Sequence, residues 1–483
     1  MRWKFILNTL GGLLVCIGLC MALALGFSIY YQDPGFWPLL ESMGLTVGVG
    51  LALYLCFRQP DSRKAINHRE GMAITTLCWV AATLFGGLPF YLGGVLQTPV
   101  DCIFETISGF TTTGASVIRD VEIVPPGLLF WRSLTHWLGG MGIVLLGLAI
   151  LPFLGVGGMQ LYKAEVPGPV MDKLKPRVKD TAKILWKVYC LFTVIEVLLL
   201  FGGGMSFFDS LCHTFGTIAT GGFSTKNASI AHYQSLYVDT VITIFMIIGG
   251  LNFSLHFQLF RGKPLALWRD PEARFFLGVL AIFTAAITLY TYGRNYPSLG
   301  QAFRYASFQA ASIMTTTGYA TADYELWPAL PQCLLLLLML IGGSVGSTGG
   351  GVKCMRIAVL LKQSYNELLR LIHPRAVFRL KLGGEALSTE VLSGITGFFV
   401  LYLFLLVGST FFVAASGVDV VTSFTAALAC IGNVGPGIGA VGPMDNYAGL
   451  PHLAKWILSL DMLLGRLEIY TVVILLVPRF YKK

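Results

Sequence analysis

The chain has 483 residues, of which 55% are hydrophobic and 12% are charged, and its mean hydropathy is +0.71. A water-soluble fold of this length could not cover its exterior with so few charges, so the composition excludes a cytosolic enzyme, a secreted disulfide scaffold and a disordered protein. We expect a protein that uses the lipid bilayer as its solvent over most of its length. The net charge of +9 is explained by the excess of Lys and Arg that membrane proteins keep in the cytoplasm. We therefore expect no nucleic-acid partner.

Ten apolar stretches are long enough to cross a hydrocarbon core about 30 Å thick. In chain order they lie near residues 5–30, 36–57, 72–95, 128–152, 184–204, 236–260, 273–293, 329–361, 389–415 and 450–478. Most of the 34 Lys and Arg residues fall at the two termini and in the connections on the same side as the termini. The ten spans predict an all-α, multi-pass membrane protein. Because cytoplasmic segments are rich in basic residues, we expect both termini to lie in the cytoplasm.

Four further stretches, too short to cross, lie on the opposite side, between spans 3 and 4, 5 and 6, 7 and 8, and 9 and 10. Each ends in a run of four uncharged, mostly small residues. The runs are Thr111, Thr112, Thr113 and Gly114; Ile218, Ala219, Thr220 and Gly221; Thr315, Thr316, Thr317 and Gly318; and Gly432, Asn433, Val434 and Gly435. We interpret them as a fourfold repeat of span, half-helix, extended loop and span. The repeats cover 71–160, 161–262, 263–382 and 383–483, after two additional spans at 1–70.

This repeat indicates a pore for cations. Irregular backbone at membrane depth is stable only when it is buried in protein or lines a watery cavity. A half-helix that enters from outside directs its C-terminal carbonyls, which carry partial negative charge, toward the bilayer centre. Four such ends and their glycine-containing loops would surround an axis with backbone oxygens, as in a potassium filter. One Thr-Thr-Thr-Gly run alone would more simply be an external turn, but four copies in register argue against that interpretation.

These motifs carry a resemblance to a known family. The four loops, the glycine-rich run from Ile341 to Lys353 and the sequence Gly465-Arg466-Leu467-Glu468-Ile469 resemble the TrkH/KtrB/HKT superfamily of potassium transporters over almost the whole chain. The bacterial TrkH branch, which has two extra N-terminal spans, is the most similar.

The resemblance implies a single-chain, pseudo-fourfold, potassium-channel-like pore with ten transmembrane helices and four re-entrant half-helix and filter loops. The glycines that match the family's filter positions are Gly114, Gly221, Gly318 and Gly435. Some relatives that favour sodium have serine at the first position, so Gly114 implies a preference for potassium. The fourth loop departs most from the Thr-Thr-Gly pattern, which implies an asymmetric pore.

A glycine-rich stretch at 342–351 interrupts the predicted span at 329–361. No regular helix is expected there, because each glycine costs a helix about 1 kcal/mol. The residues concerned are Gly342, Gly343, Ser344, Gly346, Ser347, Thr348, Gly349, Gly350 and Gly351. A role in close helix packing is one interpretation, and a phosphate-binding loop is disfavoured because the GxxxxGK[ST] spacing is absent. We favour a flexible intramembrane loop that obstructs the pore, and in the family resembled this stretch is the gating loop.

Arg466 is a lone charge within the last predicted span. A charge there is costly and usually faces a cavity or a partner. A pair with Asp461 or Glu468 and snorkelling to the interface are alternatives, although Glu468, two residues away, would not face Arg466 on a helix. In the family resembled, the matching arginine lines the pore beside the gating loop, which implies the same role here.

Other polar residues in the apolar stretches could relay protons or coupling ions, but hydrogen bonding between helices is the simpler interpretation. They are His136, Glu196, His213, Asn252 and His256. Three acidic residues begin half-helices, where they could attract cations but where helix capping is sufficient explanation. They are Asp101, Asp209 and Asp419.

The sequence therefore predicts gated potassium uptake across a bacterial inner membrane rather than an enzyme, with K⁺ as the transported ion and no bound cofactor. A cation-coupled secondary transporter of another small solute is the alternative, since broken helices are typical of those proteins too. Their repeats are inverted, however, whereas the four repeats here share one orientation. The sequence leaves open whether protons or sodium accompany potassium.

The resemblance also implies partners. Similar proteins form homodimers, and a TrkA-like cytoplasmic ring that binds nucleotides controls their opening. The basic segments 163–187 and 353–381 are candidate docking surfaces for such a ring, although the positive-inside rule explains the same charges without a partner.

Overall fold

The computed structural model describes residues 1–481 except 59–66, 151–173, 377, 379 and 384. The predicted boundary between the first two repeats and part of the basic segment 163–187 lie outside these residues. Within the described part, nearly all the regular secondary structure is helical, as predicted, and the strands form one small hairpin, Lys381–Leu382 paired with Glu385–Ala386.

The helices in chain order are α1 (Trp3–Tyr31), α2 (Phe36–Cys56), α3 (His68–Gly86), α4 (Leu88–Leu92), α5 (Pro99–Phe110), α6 (Pro126–Ile150), α7 (Leu174–Gly202), α8 (Phe207–Ile218), α9 (Leu236–Gly250), α10 (Phe253–Phe260), α11 (Ala266–Arg269), α12 (Pro271–Thr291), α13 (Leu299–Met314), α14 (Ala329–Ile341), α15 (Cys354–Ile372), α16 (Thr389–Ala415), α17 (Val420–Ile431), α18 (His452–Arg466) and α19 (Tyr470–Val473).

Several of these helices are membrane spans by length and composition. Among the described residues, six qualify: Trp3–Tyr31, Phe36–Cys56, Arg69–Leu92, Thr181–Gly202, Pro271–Thr291 and Thr389–Ala415. A seventh is added if α9 and α10, which are bent by 104°, form one broken span. The stretch near 128–152 corresponds to α6, a helix of 25 residues. The stretches near 329–361 and 450–478 are each divided into shorter helices, so the polypeptide is less regular than ten uninterrupted spans.

The first two helices form a tightly packed hairpin. A Cβ at Gly11 would lie 2.7 Å from the carbonyl oxygen of Gly50 on α2, so the two backbones approach as closely as only glycine permits. The turn between the helices is attached to the rest of the protein, because the Asp33 carboxylate accepts a hydrogen bond of 2.7 Å from the Gly127 N–H at the start of α6.

Four shorter helices, α5, α8, α13 and α17, lie in the centre of the protein, and their C-terminal halves are almost wholly buried. Each begins at a residue whose side-chain oxygen accepts a backbone N–H bond. These N-cap residues are Thr98, Ser206, Ser298 and Asp419. Asp419 is therefore itself a cap, whereas Asp101 and Asp209 lie in the first turn and donate their N–H groups to Thr98 and Ser206. We call these helices the central helices.

Candidate functional site

The four segments that follow the central helices share one backbone conformation. The second residue of each segment is left-handed, with φ between 51° and 62°, and the fourth is a glycine with φ between 81° and 100°. The third residue donates its N–H to a carbonyl five residues earlier, at 2.7–2.9 Å. We number them segment 1 (111–114), segment 2 (219–222), segment 3 (315–318) and segment 4 (432–435).

Segment 2 differs by one residue from the run identified in the sequence. Gly221 donates to Gly216, as Thr113 donates to Ser108, so Gly221 is the third residue of its segment. The glycine with positive φ is Gly222, at 81°. The backbone equivalent of Gly114 is therefore Gly222, and the equivalent of Thr111 is Ala219 instead of Ile218. Two consecutive glycines made the register of this run ambiguous in the sequence.

The four segments form a closed ring in chain order. A Cβ on the fourth-position glycine of each segment would collide with a third-position carbonyl oxygen of the next segment. The pairs are Gly114 with Gly221, Gly222 with Thr317, Gly318 with Val434, and Gly435 with Thr113. The last pair returns to segment 1 and closes the ring, and at 2.6 Å it is the widest of the four. Glycine is required at these positions both by the positive φ and by the neighbouring backbone.

Neutral oxygen atoms dominate the chemistry of this ring. Thr111 and Thr113 share a hydroxyl hydrogen bond of 2.7 Å, and Thr315 and Thr317 share one of 2.8 Å. Segment 4 has no threonine, and its Asn433 amide donates instead to the Thr113 hydroxyl at 3.0 Å. None of the sixteen side chains is ionisable. The C-terminal ends of four helix dipoles and this set of carbonyl groups suit a cation.

The predicted helix break occurs between Ile341 and Cys354, and the glycine-rich stretch lies against the same ends of the central helices. The Thr348 hydroxyl approaches the carbonyl of Ile218, the last residue of α8, at 2.9 Å. The Gly350 N–H donates to the Thr316 hydroxyl of segment 3 at 2.7 Å. A Cβ at Gly350 would collide with the Gly432 carbonyl of segment 4. The stretch 342–351, which we call the glycine loop, thus contacts three of the four segments or their helices.

Arg466 also binds the glycine loop, at the Thr348 carbonyl. It is 3% exposed and donates to the Thr348 carbonyl at 2.6 Å and to the Gly139 carbonyl of α6 at 3.4 Å. The two acidic residues considered as its partners bind elsewhere: Asp461 accepts from the Ser409 hydroxyl, and Glu468 pairs with Arg356. Among the described residues, no carboxylate forms an ion pair with this guanidinium beside the glycine loop.

Three contacts that sequence reasoning missed also fix the glycine loop. The Glu272 carboxylate, in the first turn of α12, accepts from the Val345 N–H at 2.8 Å. The Phe253 N–H, where α9 and α10 are bent, donates to the Gly346 carbonyl at 3.1 Å. Lys353 is buried and donates to the Gly349 carbonyl. Glu272 follows an Asp-Pro pair typical of a helix start, so nothing in its local sequence distinguished it from an ordinary helix-start acid.

The remaining polar residues have mostly local partners. His213 contacts the Ser224 hydroxyl at 2.9 Å, His256 contacts the Ile248 carbonyl at 2.9 Å, and Asn252 caps α10. His136 stacks on Phe223 with the ring centroids 4.0 Å apart, and Glu196 is fully buried.

In the loops outside the spans, partial burial raises the pKa of the Glu325 carboxyl. The hydrogen bond that this carboxylate accepts from the Gly439 N–H acts in the opposite direction and lowers the same pKa.

Comparison with known proteins decides the family. The family model TrkH, described as a cation transport protein, matches residues 51–480. The Trk system potassium uptake protein TrkH of Halomonas elongata is 43% identical, and that of Escherichia coli K12 is 40% identical, each over the full length of both chains. The chain belongs to the TrkH cation transport family.

A solved structure agrees with this assignment. The crystal structure of the potassium transporter TrkH from Vibrio parahaemolyticus superposes with a TM-score of 0.92 at 36% identity, with both chains covered completely. The TrkH relatives are transport proteins, so the prediction that the chain is not an enzyme is confirmed. The predicted family resemblance is confirmed as well.

Proposed function

We propose that this TrkH-family protein conducts potassium into the cell through the ring formed by segments 1–4. The observation that carries the proposal is the closed order of the ring, in which each segment's glycine abuts the next segment's carbonyl. A dehydrated cation needs several oxygens at once, and four equivalent backbones around one axis supply them without any charged side chain. The relatives named as potassium uptake proteins support K⁺ as the transported ion.

In this proposal the central helices are the re-entrant elements of a pseudo-fourfold pore, and the interrupted helices complete ten transmembrane passages. The glycine loop and Arg466 form the gate. The loop lies across the ends of α8, α13 and α17, where it obstructs the path below the ring, and the buried guanidinium repels a cation at the same level. Opening requires both to move away from the axis.

The surroundings of the pore follow from the charge distribution and from the family. We place the protein in the bacterial inner membrane with both termini in the cytoplasm. We further propose a homodimer regulated by a TrkA-like nucleotide-binding ring that docks on the basic segments 163–187 and 353–381. Helix α15, which begins directly after the glycine loop, would transmit the movement of such a ring to the gate.

A cation-coupled transporter of another solute remains the competing function. The four segments share one backbone conformation and one order around the ring, which favours a pore over a pocket between inverted repeats. Currents in a potassium and sodium gradient would separate the two, because a pore gives a reversal potential set by the permeant ion alone.

The filter assignment is tested by Gly318→Ser in proteoliposomes loaded for rubidium and sodium flux. A Cβ at residue 318 meets the Val434 carbonyl and must adopt a φ of 82°, so we expect the preference for rubidium over sodium to fall. Gly300→Ser is the matched control, since Gly300 lies near the start of α13, the helix that precedes segment 3, with no atom within 4 Å of its Cβ. An unchanged ion preference in Gly318→Ser would contradict the proposal.

A further inference from the structure

The loops that leave segments 1–4, which we number loops 1–4, are joined to one another by different contacts at each junction. Between loops 2 and 3 the Tyr319 hydroxyl donates to the Phe223 carbonyl at 3.0 Å. Between loops 3 and 4 the Tyr324 hydroxyl donates to the Gly437 carbonyl at 2.9 Å. Between loops 4 and 1 the Tyr447 N–H donates to the Ser116 carbonyl at 2.8 Å. These three contacts join neutral groups, and at the junction between loops 3 and 4 the half-buried Glu325 carboxylate also accepts from the Gly439 N–H.

The junction between loops 1 and 2 is different, because it contains a buried ion pair. Glu105 on α5 and Arg132 on α6 are joined at 2.7 Å, and their side chains are at most 3% exposed. A charge pair removed from water is stable only when additional hydrogen bonds satisfy its remaining atoms. Those additional bonds go to the two loops.

Glu105 holds the loop that leaves segment 1. Its carboxylate accepts the Val117 N–H at 2.8 Å and the Ser116 hydroxyl at 3.0 and 3.2 Å. Ser116 is two residues beyond Gly114, so the carboxylate fixes the direction in which the chain leaves the ring. Glu105 is also within the central helix α5, which connects this loop to the helix that ends at segment 1.

Arg132 holds the loop that leaves segment 2. Its guanidinium donates to the Ser224 carbonyl at 3.1 Å and lies 3.5 Å from the centre of the Phe223 ring. Phe223 directly follows Gly222, whose positive φ sets the turn of the ring. The planar guanidinium can contact Glu105, Ser224 and Phe223 together, which an ammonium group could not do.

We propose that Glu105 and Arg132 are positioning residues for the ion filter, and that they set the distance between segments 1 and 2 and thereby the selectivity of the pore. The inference rests on the proposed filter function. Their hydrogen bonds to both loops are charge-assisted, and such bonds are shorter and stronger than those between neutral groups. Loss of the pair lets two of the four segments separate, and a wider ring holds sodium and potassium with more similar affinity.

The first test compares the rubidium-to-sodium flux ratio of Glu105→Gln with that of the unmodified protein in proteoliposomes. Glutamine can still accept from Val117, but its amide loses the ionic bond to Arg132. We expect the ratio to fall by roughly fivefold or more, since a charge-assisted bond is replaced by a neutral one. Asp239→Asn is the matched control, because the Asp239–Arg304 pair has the same 2.7 Å separation and, within the described part of the chain, hydrogen-bonds to no residue of segments 1–4.

A second variant separates positioning from folding. The double replacement Glu105→Leu with Arg132→Met removes both charges, so no unpaired charge remains buried and thermal stability should approach that of the unmodified protein. It also lacks the bonds to Val117 and Ser224, so we expect the flux ratio to stay low. A ratio that recovers together with thermal stability would overturn the proposal and assign the pair to folding alone.

Gly318→Ser, measured in the same assay, distinguishes this inference from the function on which it rests. If Gly318→Ser lowers the ratio while Glu105→Gln and the double variant leave it unchanged, the filter assignment stands and the positioning role is wrong. If Gly318→Ser also leaves the ratio unchanged, the ring is not the filter and both proposals fail.

Discussion

Arg466 combines a full positive charge with nearly complete burial, and two backbone carbonyls are its hydrogen-bond acceptors. The two carbonyl oxygens accept from the terminal nitrogens without neutralising the charge, and among the described residues the buried Nε has no hydrogen-bond partner. In the proposed pore, a cation that leaves the ring toward the glycine loop would therefore meet a repulsive potential. At a separation of about 8 Å and an effective dielectric constant of about 20, two unit charges repel by about 2 kcal/mol.

Replacement of Arg466 by glutamine should increase potassium uptake by roughly tenfold or more, because about 2 kcal/mol of repulsion is removed. The measurement is rubidium uptake into proteoliposomes at matched protein density. Arg466→Lys, which keeps the charge and a donor for Thr348, serves as the control and should stay near the original rate. A glutamine variant that folds but shows the original rate would remove Arg466 from the gate.

At the residue scale, the sequence located the four runs that follow the central helices, but it did not settle the backbone register of every run. Segment 4, which looks least like the others, was placed in register, whereas segment 2 was displaced by one residue. The structure requires a left-handed second residue and a glycine at the fourth position, and Asn433 meets the first requirement as readily as threonine does. In segment 2 both Gly221 and Gly222 can supply the glycine, and only the hydrogen bond to Gly216 identifies which one does.

Among the elements, the glycine loop has the properties of a segment that can change its conformation. It is held by separate hydrogen bonds instead of by a regular helix or sheet. These bonds join the loop to the side chains of Glu272, Lys353, Arg466 and Thr316 and to the backbone of Ile218, Gly249, Gly250 and Phe253. A typical intramolecular hydrogen bond contributes about 1 kcal/mol, so loss of one or two bonds changes the population of the closed loop appreciably. In the proposed gate, a movement of α15 that breaks one or two of these bonds would therefore favour the open loop.

Thr348→Val tests this property at the centre of the loop. Valine has nearly the shape of threonine but lacks the hydroxyl that approaches the Ile218 and Gly249 carbonyls at 2.9 and 3.0 Å. Loss of about 1 kcal/mol should raise the basal rubidium flux by roughly fivefold. Thr410→Val is the control, since that hydroxyl donates to the Leu406 carbonyl within α16. Equal fluxes in the two variants would show that the hydroxyl does not hold the gate.

Elements were predictable from the sequence where hydrophobicity was uniform. Helices such as α1, α2 and α16 match apolar stretches that contain few charges and fill the membrane thickness. The break at 342–353 was predictable because glycine density is a local property. The 104° bend between α9 and α10 was not, because it occurs at Leu251–Asn252 inside an apolar stretch and depends on a bond to Gly346, almost a hundred residues later.

At the scale of the whole molecule, our proposal places most basic residues on the cytoplasmic side of the membrane, and this asymmetry orients the protein. Exposed basic residues such as Lys263 lie in the surface connections between helices. A positively charged surface on the cytoplasmic side also suits an acidic partner or anionic lipid headgroups. Orientation therefore decides where any regulatory ring can bind.

The orientation is tested with Arg294→Cys and Lys263→Cys, two exposed positions that we assign to opposite sides. The variants are made in a background without the ten native cysteines, and intact spheroplasts are treated with a membrane-impermeant maleimide. We expect labelling of residue 294 at once and of residue 263 only after permeabilisation. The reverse pattern would invert the topology and place the glycine loop on the outer side of the ring.

The closed ring of four unlike segments has an evolutionary consequence. In a channel built from four identical subunits, one codon change alters all four quadrants, so the ion meets either the original ring or a fully altered one. Here a codon change alters a single quadrant, as Asn433 illustrates by presenting an amide where segments 1–3 present a threonine hydroxyl. In a single-chain pore, mutations can therefore change the ion preference in small steps, one quadrant at a time.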